Sequence, residues 1–249
     1  MPAAMHLFCL PYAGGNAGIY RDWAARLPAW VTPVPLLLPA RGVRYGLAPV
    51  TEWPVLLDLL EQDVAPYLDR PYAVFGHSMG ALIGLELARR LRDRRAASPV
   101  WFGASACVAP TRRQVDDRWL TRSQGELVAE VRELGGTAAE LLDNEEFMAL
   151  VTPMLRADFH LCGTHPQAAW RAGEQETPLN CPITVYAGRR DSKVSTEPRN
   201  LEDWRQETRG SLDVVMFDAD HFFVHSQRDA LLASVGRALA TYASHPSGD

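Results

Sequence analysis

The sequence predicts an α/β fold: a mostly parallel central sheet with helices on both faces and a helical insertion above it. Three observations lead there. Short apolar runs bounded by glycine, proline or charged residues recur along the chain, with the composition of strands buried on both faces. Helical patterns separate several of these runs, the alternation that builds parallel β-α-β units. Between about residues 108 and 173 the rhythm breaks, and amphipathic helical stretches follow one another with no convincing strand.

In chain order the runs are Leu7–Leu10 (LFCL), Val34–Leu38 (VPLLL), Tyr72–Phe75 (YAVF), Val100–Ala104 (VWFGA), Ile183–Ala187 (ITVYA) and Leu212–Phe217 (LDVVMF). Helices are expected over Trp53–Tyr67, over Ala81–Arg95 directly after the third strand, and over Asp229–Ser244 at the end. Inside the insertion the 3.6-residue period marks Gln124–Leu134, Thr137–Leu142 and Glu145–Leu155. A chain of 249 residues that is 47% hydrophobic buries one substantial core, so residues 1–249 are expected to form a single domain.

Composition narrows the function. A net charge of −5 argues against nucleic acid, whose phosphates demand a basic field. The start of the chain lacks a basic segment followed by an apolar one, and no apolar stretch approaches the ~18 residues of a membrane helix, so a cytoplasmic protein is expected, monomeric by default. Cys9, Cys107, Cys162 and Cys181 are widely spaced with no CxxC pair; they read as buried inert thiols rather than a zinc site or a disulfide framework. No metal or other cofactor is called for.

The chemistry centres on Gly76-His77-Ser78-Met79-Gly80. It matches the G-x-S-x-G nucleophile elbow of α/β-hydrolases, and the strand before it and helix after it supply the required context. A serine on a sharp strand-to-helix turn sits in strained backbone, and flanking glycines let neighbouring chain pass where a Cβ would clash. In this fold the serine is followed along the chain by an acid and then a histidine. Asp191 follows the strand ITVYA and His221 follows LDVVMF, both just past strand ends, where open parallel sheets bind their ligands. His221 would take the Ser78 proton, and Asp191 would orient it. Asp218 and Asp220 are rival acids, and His225 is a rival base. His77 reads as a shaping residue. Two N–H groups are needed to hold an oxyanion: Met79 supplies one, and Ala13, in the Pro11–Gly15 loop after LFCL, is the candidate for the other.

Five segments together resemble the type II thioesterases, free-standing α/β-hydrolases that accompany polyketide synthases and nonribosomal peptide synthetases. They are LFCLPYAGGNA, GHSMGA, MLRADF at residues 154–159, AGRRD at 187–191 and ADHFF at 219–223. The resemblance covers nearly the whole chain. It implies hydrolysis of acyl thioesters on the phosphopantetheine arm of acyl or peptidyl carrier proteins, clearing aberrant or stalled groups. It also implies that Ser78, Asp191 and His221 are catalytic, that Met79 and Ala13 form the oxyanion hole, and that residues of about 108–173 form a mobile lid over an acyl chamber. Departures are Ala40 for the usual glycine before Arg41, Ala219 before Asp-His, and Gly163 and His165 where the family tends to carry Glu and Tyr. Arg156 and Asp158, in the lid motif, read as structural support.

A carboxylesterase, lipase or acyltransferase working on oxygen esters would share the triad; a catalytically idle hydrolase-like binding protein is a further reading, but one that usually goes with a broken triad. Arg89, Arg90, Arg92, Arg94 and Arg95 form a basic cluster that could meet an acidic carrier protein, although arginines at a helix C-terminus also complement the helix dipole.

Overall fold

Strand β1 (Met5–Leu10) is buried at every position, and its alternating side chains feed two different cores. Phe8 and Leu10 point into one, Leu7 and Cys9 into the other. The computed structural model describes residues 4–95, 97–166 and 177–243. It has a six-stranded sheet in the order β2-β1-β3-β4-β5-β6, every neighbouring pair parallel. The other strands are β2 (Val31–Pro35), β3 (Tyr72–His77), β4 (Phe102–Ser105), β5 (Ile183–Gly188) and β6 (Leu212–Phe217). This is the α/β-hydrolase architecture that the sequence predicts.

Helices α1 (Trp53–Val64) and α2 (Met79–Arg95) cover the Phe8 face, burying Trp53, Leu56, Leu82 and Leu85. On the Leu7 face, Trp23, Phe75 and Trp101 pack with Leu231, Val235 and Leu239 of the final helix. Between β4 and β5 stand α3 (Gln124–Leu134), α4 (Ala139–Leu142) and α5 (Glu145–Gly163). Local sequence sets their ends. Ser123 and Glu126 form a reciprocal capping box at the start of α3, Gly135 ends it at φ +83°, and Asn144 caps α5 through the Phe147 N–H. These helices have their own apolar cluster, including Trp119, Leu127, Met148, Leu155 and Phe159. Short helices α6 (Arg199–Glu202) and α7 (Phe223–Ser226) precede α8 (Arg228–Ala243).

Several boundaries differ from expectation by a few residues, and three are informative. β2 begins three residues before VPLLL and ends within it, at Pro35; it is an edge strand, which tolerates Pro33 and Pro35. Leu36 and Leu38 are buried just past its end, where the Leu36 N–H still donates to the Cys9 carbonyl of β1 at 2.9 Å, so the apolar run reports burial beyond the strand as well as pairing. α5 continues past Leu155 to Gly163 because Phe159 and Leu161 carry its apolar pattern onward. α2 begins two residues early, at Met79, directly after Ser78. The expected end of the insertion near 173 and the helix end at Ser244 lie outside the described residues.

The basic cluster on α2 is tied into the fold. Arg90 and Arg95 reach the buried Glu61 of α1 at 2.9 and 2.8 Å, Arg94 reaches Asp58 at 3.2 Å, and Arg89 bridges Glu86 and Glu207. These pairs clamp α2 to α1 and to the Glu207 segment, which favours the structural reading of the arginines over a docking role.

Candidate active site

Ser78 has φ +54°, a left-handed conformation that is strained for a residue with a Cβ. Two backbone bonds hold it. Its N–H donates to the Ser105 carbonyl at 2.6 Å, and the Ala81 N–H donates to its own carbonyl at 3.0 Å. The flanking glycines are required by close approach: a Cβ on Gly76 would lie 2.1 Å from the Gly80 carbonyl oxygen, and one on Gly80 would lie 2.1 Å from the Leu10 carbonyl oxygen. The elbow thus places Ser78 at the mouth of α2, half-buried, on the wall of a cavity of about 290 Å³.

His221 lines the same cavity. Its Nδ1 lies 2.7 Å from Asp191 Oδ2, both residues being buried, and the other carboxylate oxygen accepts the Lys193 N–H at 3.0 Å. A carboxylate at Nδ1 fixes the tautomer with its proton there, leaving Nε2 as the basic nitrogen. The rival residues are engaged elsewhere. Asp218 pairs with Arg190, Asp220 accepts the Phe222 N–H at 2.9 Å, and His225 Nε2 meets the Tyr12 hydroxyl at 3.0 Å.

His77 is fully buried between Ser105 Oγ, 2.9 Å from Nδ1, and the His221 carbonyl, 3.0 Å from Nε2. The carbonyl only accepts, so Nε2 carries the proton and Nδ1 accepts from the Ser105 hydroxyl. Burial, helped by the nearby His221, pushes the imidazole well below its ordinary value and keeps it neutral.

Ala13 and Met79 also line the Ser78 cavity. Met79 opens α2, where N–H groups have no intrahelical acceptor. In the loop after β1, the Gly14 N–H donates to Asp158 Oδ2 at 2.8 Å and the Gly15 N–H to the Tyr12 carbonyl at 2.9 Å, so neither serves the cavity. Asp158, on α5, also forms a buried two-pronged pair with Arg41 at 2.7 and 2.8 Å. Arg41 and Asp158 each stand in a motif visible in the sequence, but their pairing across 117 positions has no sequence signal.

A second cavity of about 270 Å³ adjoins the first, sharing Tyr12, Ala13, Leu134, Phe159 and Phe222. Apolar side chains from α4 and α5, among them Leu142, Met148 and Leu155, line its far part. The first cavity is more polar, with Arg113, Gln114, Asp116 and Lys193 on its wall. Cys107 and Cys162 also line it, but burial pushes their thiols up to about 11 and about 12, so they are protonated near neutrality and do not compete as nucleophiles. Among the described residues no group of three His, Cys, Asp or Glu could hold a metal ion, and no helix is long and apolar enough to cross a membrane.

The departures in the insertion fall in two places. Gly163 is required where it stands, since a Cβ would lie 1.9 Å from the Asp116 carbonyl oxygen. His165 is buried behind it, edge-on to Trp53 and 3.2 Å from Glu86, in the core rather than the cavity.

The thioesterase-domain family profile matches residues 5–239. The chain belongs to the thioesterase family. Within it, the chain is similar to type II members of known structure. The type II thioesterase BorB from the borrelidin biosynthetic cluster is 31% identical, with 96% of this chain and 95% of BorB covered and a TM-score of 0.79. YbtT, a type II thioesterase from the yersiniabactin NRPS/PKS pathway, is 28% identical over 95% of this chain and 93% of its own, with a TM-score of 0.81. Linear gramicidin dehydrogenase LgrE of Brevibacillus parabrevis is 37% identical over 96% of this chain and 89% of its own. The dehydrogenase in that name stays with LgrE. In this thioesterase the Asp158 carboxylate occupies the Gly14 N–H of the loop after β1, where a dinucleotide fold would present N–H groups to pyrophosphate.

Proposed function

We propose that this thioesterase hydrolyses acyl groups from the phosphopantetheine arm of a carrier protein, removing aberrant or stalled chains from a polyketide synthase or nonribosomal peptide synthetase. The observation that carries the reading is the strained Ser78 sharing one cavity wall with His221, itself bonded to Asp191 at 2.7 Å. Ser78 Oγ attacks the thioester carbonyl while His221 Nε2 takes its proton. The oxyanion is held by the N–H groups of Met79 and Ala13. The carbon–sulfur bond then breaks, the thiol leaves with the proton from His221, and an acyl-serine remains. Water, deprotonated by His221, attacks that ester and releases the acid, returning the proton to Ser78. A thiol, with a pKa near 8.5, leaves readily, so the demand on His221 as an acid is modest in the first half.

The apolar second cavity suits the acyl chain, and the more polar first cavity suits the pantetheine arm, with the α3–α5 insertion acting as the lid over both. The enzyme acts as a cytoplasmic monomer on its carrier protein. The test is acyl loss from an acyl-phosphopantetheinyl carrier protein, followed by intact mass, beside the same acyl group as an oxygen ester. Rapid loss from the carrier, poor cleavage of the ester and inactivity of Ser78→Ala support the reading. Preference for the oxygen ester returns the esterase reading.

A further inference from the structure

We propose that Asp158 and Arg41 are positioning residues for the oxyanion donor at Ala13, so that a complete oxyanion site depends on how α5 is seated. The proposal rests on the assignment of Ala13 and Ser78 given above. Its physical basis is the junction of three segments on one carboxylate. Asp158 Oδ2 accepts the Gly14 N–H at 2.8 Å and Arg41 Nη1 at 2.8 Å, and Oδ1 accepts Arg41 Nη2 at 2.7 Å. The same Nη1 donates to the Gly15 carbonyl at 3.1 Å, and Nε donates to the Pro39 carbonyl at 3.0 Å. The peptide plane joining Ala13 to Gly14 is thereby fixed from one side and the Gly15 carbonyl from the other. The Ala13 N–H, one plane back, is aimed by both.

Packing reinforces the polar contacts. Gly14 has φ +76°, and a Cβ there would lie 2.8 Å from Leu155 Cδ2, one turn before Asp158 on the same helix. α5 therefore rests on this loop through Leu155 and Asp158 together. Stability alone gives little reason for a buried ion pair at this point, because well-packed apolar residues often replace such pairs without loss. A loop whose next N–H must meet a developing charge has a stricter need, since a shift of about 1 Å near a reacting centre lowers the rate by roughly 10²-fold. Any motion that lifts α5 off the sheet takes the acceptor of the Gly14 N–H with it, and the loop loses its aim.

The experiment uses the whole enzyme and an acyl N-acetylcysteamine thioester, with the variants Asp158→Asn, Arg41→Lys and the double variant Arg41→Met/Asp158→Leu. Asp158→Asn leaves Arg41 buried without its counter-charge and is vulnerable to misfolding, whereas the double variant removes both charges together. We expect kcat to fall roughly 10- to 100-fold in the folded double variant with little change in KM. Affinity for a trifluoromethyl ketone, which forms a tetrahedral adduct, should fall by a similar factor. Affinity for the unreactive amide analogue should hold. Arg41→Lys, which keeps charge without the fork, should lie between wild type and the double variant. A folded double variant with wild-type kcat, a loss confined to KM, or unchanged ketone affinity would overturn the proposal. Ser78→Ala is run beside them. If it keeps activity, the nucleophile assignment fails and this proposal falls with it; if it is inactive while the double variant is not, only the positioning role is lost.

Discussion

His77 Nε2 donates to the backbone carbonyl of His221 across 3.0 Å, so the residue beside the serine holds the residue proposed as its base. Because His77 and Ser78 are consecutive, this bond ties the loop after β6 to the elbow after β3, two strands that are not neighbours in the sheet. Burial keeps the imidazole neutral, so Nε2 donates while its other nitrogen accepts from the Ser105 hydroxyl.

That neutrality makes stability depend on pH. In the unfolded chain a histidine titrates near 6.5, whereas burial holds both His77 and His165 below that value in the fold. Unfolding therefore takes up protons below pH 6.5. Stability is full above that point and falls as pH drops, by up to about 1.4 kcal/mol per pH unit for each such histidine. Urea unfolding between pH 7.5 and 5.5 should show the fall, and His77→Asn should reduce its slope. An unchanged slope in that variant would remove His77 from the account.

Asp191→Asn should preserve the fold and lower kcat by about 10⁴-fold, because an amide at Nδ1 permits the wrong imidazole tautomer. Ser78→Ala should lower it at least as far. Burst-phase acylation kinetics on both variants check this. A residual rate within tenfold of wild type for Asp191→Asn would point to another orienting group.

Gly80→Ala adds a methyl group 2.1 Å from the Leu10 carbonyl oxygen, with backbone on both sides of the clash. The strand or the elbow must move, at a cost of about 3 kcal/mol or more. Thermal unfolding should reveal a large drop in the midpoint, with activity lost even at temperatures where the variant is folded. A wild-type midpoint would mean that the turn is softer than its packing suggests.

Lys193 Nζ lies 3.3 Å from Glu130 and 3.0 Å from Glu133, joining α3 to the loop that carries Asp191. The pairs are partly exposed and worth about 1 kcal/mol or less to global stability. Their loss in Lys193→Met should leave the unfolding midpoint within a few degrees while hydrogen exchange in α3 quickens relative to the sheet. Equal exchange in α3 and the sheet, in wild type and variant alike, would count against a lid that opens.

Much of this was legible because it is local or ordered along the chain. The elbow is five consecutive residues between a strand and a helix, and Asp191 and His221 announce themselves by following strands in the right sequence. The bounds of β2 were shifted toward Leu38 because Leu36 and Leu38 belong to the same apolar cluster as α1, and apolarity alone does not mark where a paired strand ends and a buried loop begins. The junction of Arg41, Asp158 and Gly14 was not legible as a unit. Each residue stands in a recognisable motif, but nothing in one dimension says that a carboxylate on an inserted helix will meet a guanidinium from the opposite side of the sheet order. His165 was equally opaque, since burial beside Glu86 is a property of where α5 ends.

α5 belongs to two apolar clusters at once. Met148, Leu155 and Phe159 complete the insertion's own core and border the second cavity, whereas Leu161 packs into the core beneath α2. Natural variation along this helix should therefore be striped. Substitutions at the cavity-facing positions would retune which chains are accepted while leaving the sheet undisturbed, so relatives serving different assembly lines could diverge there quickly. The stripe anchored by Asp158 and Leu161 would drift slowly, keeping the same chemistry under a changing roof.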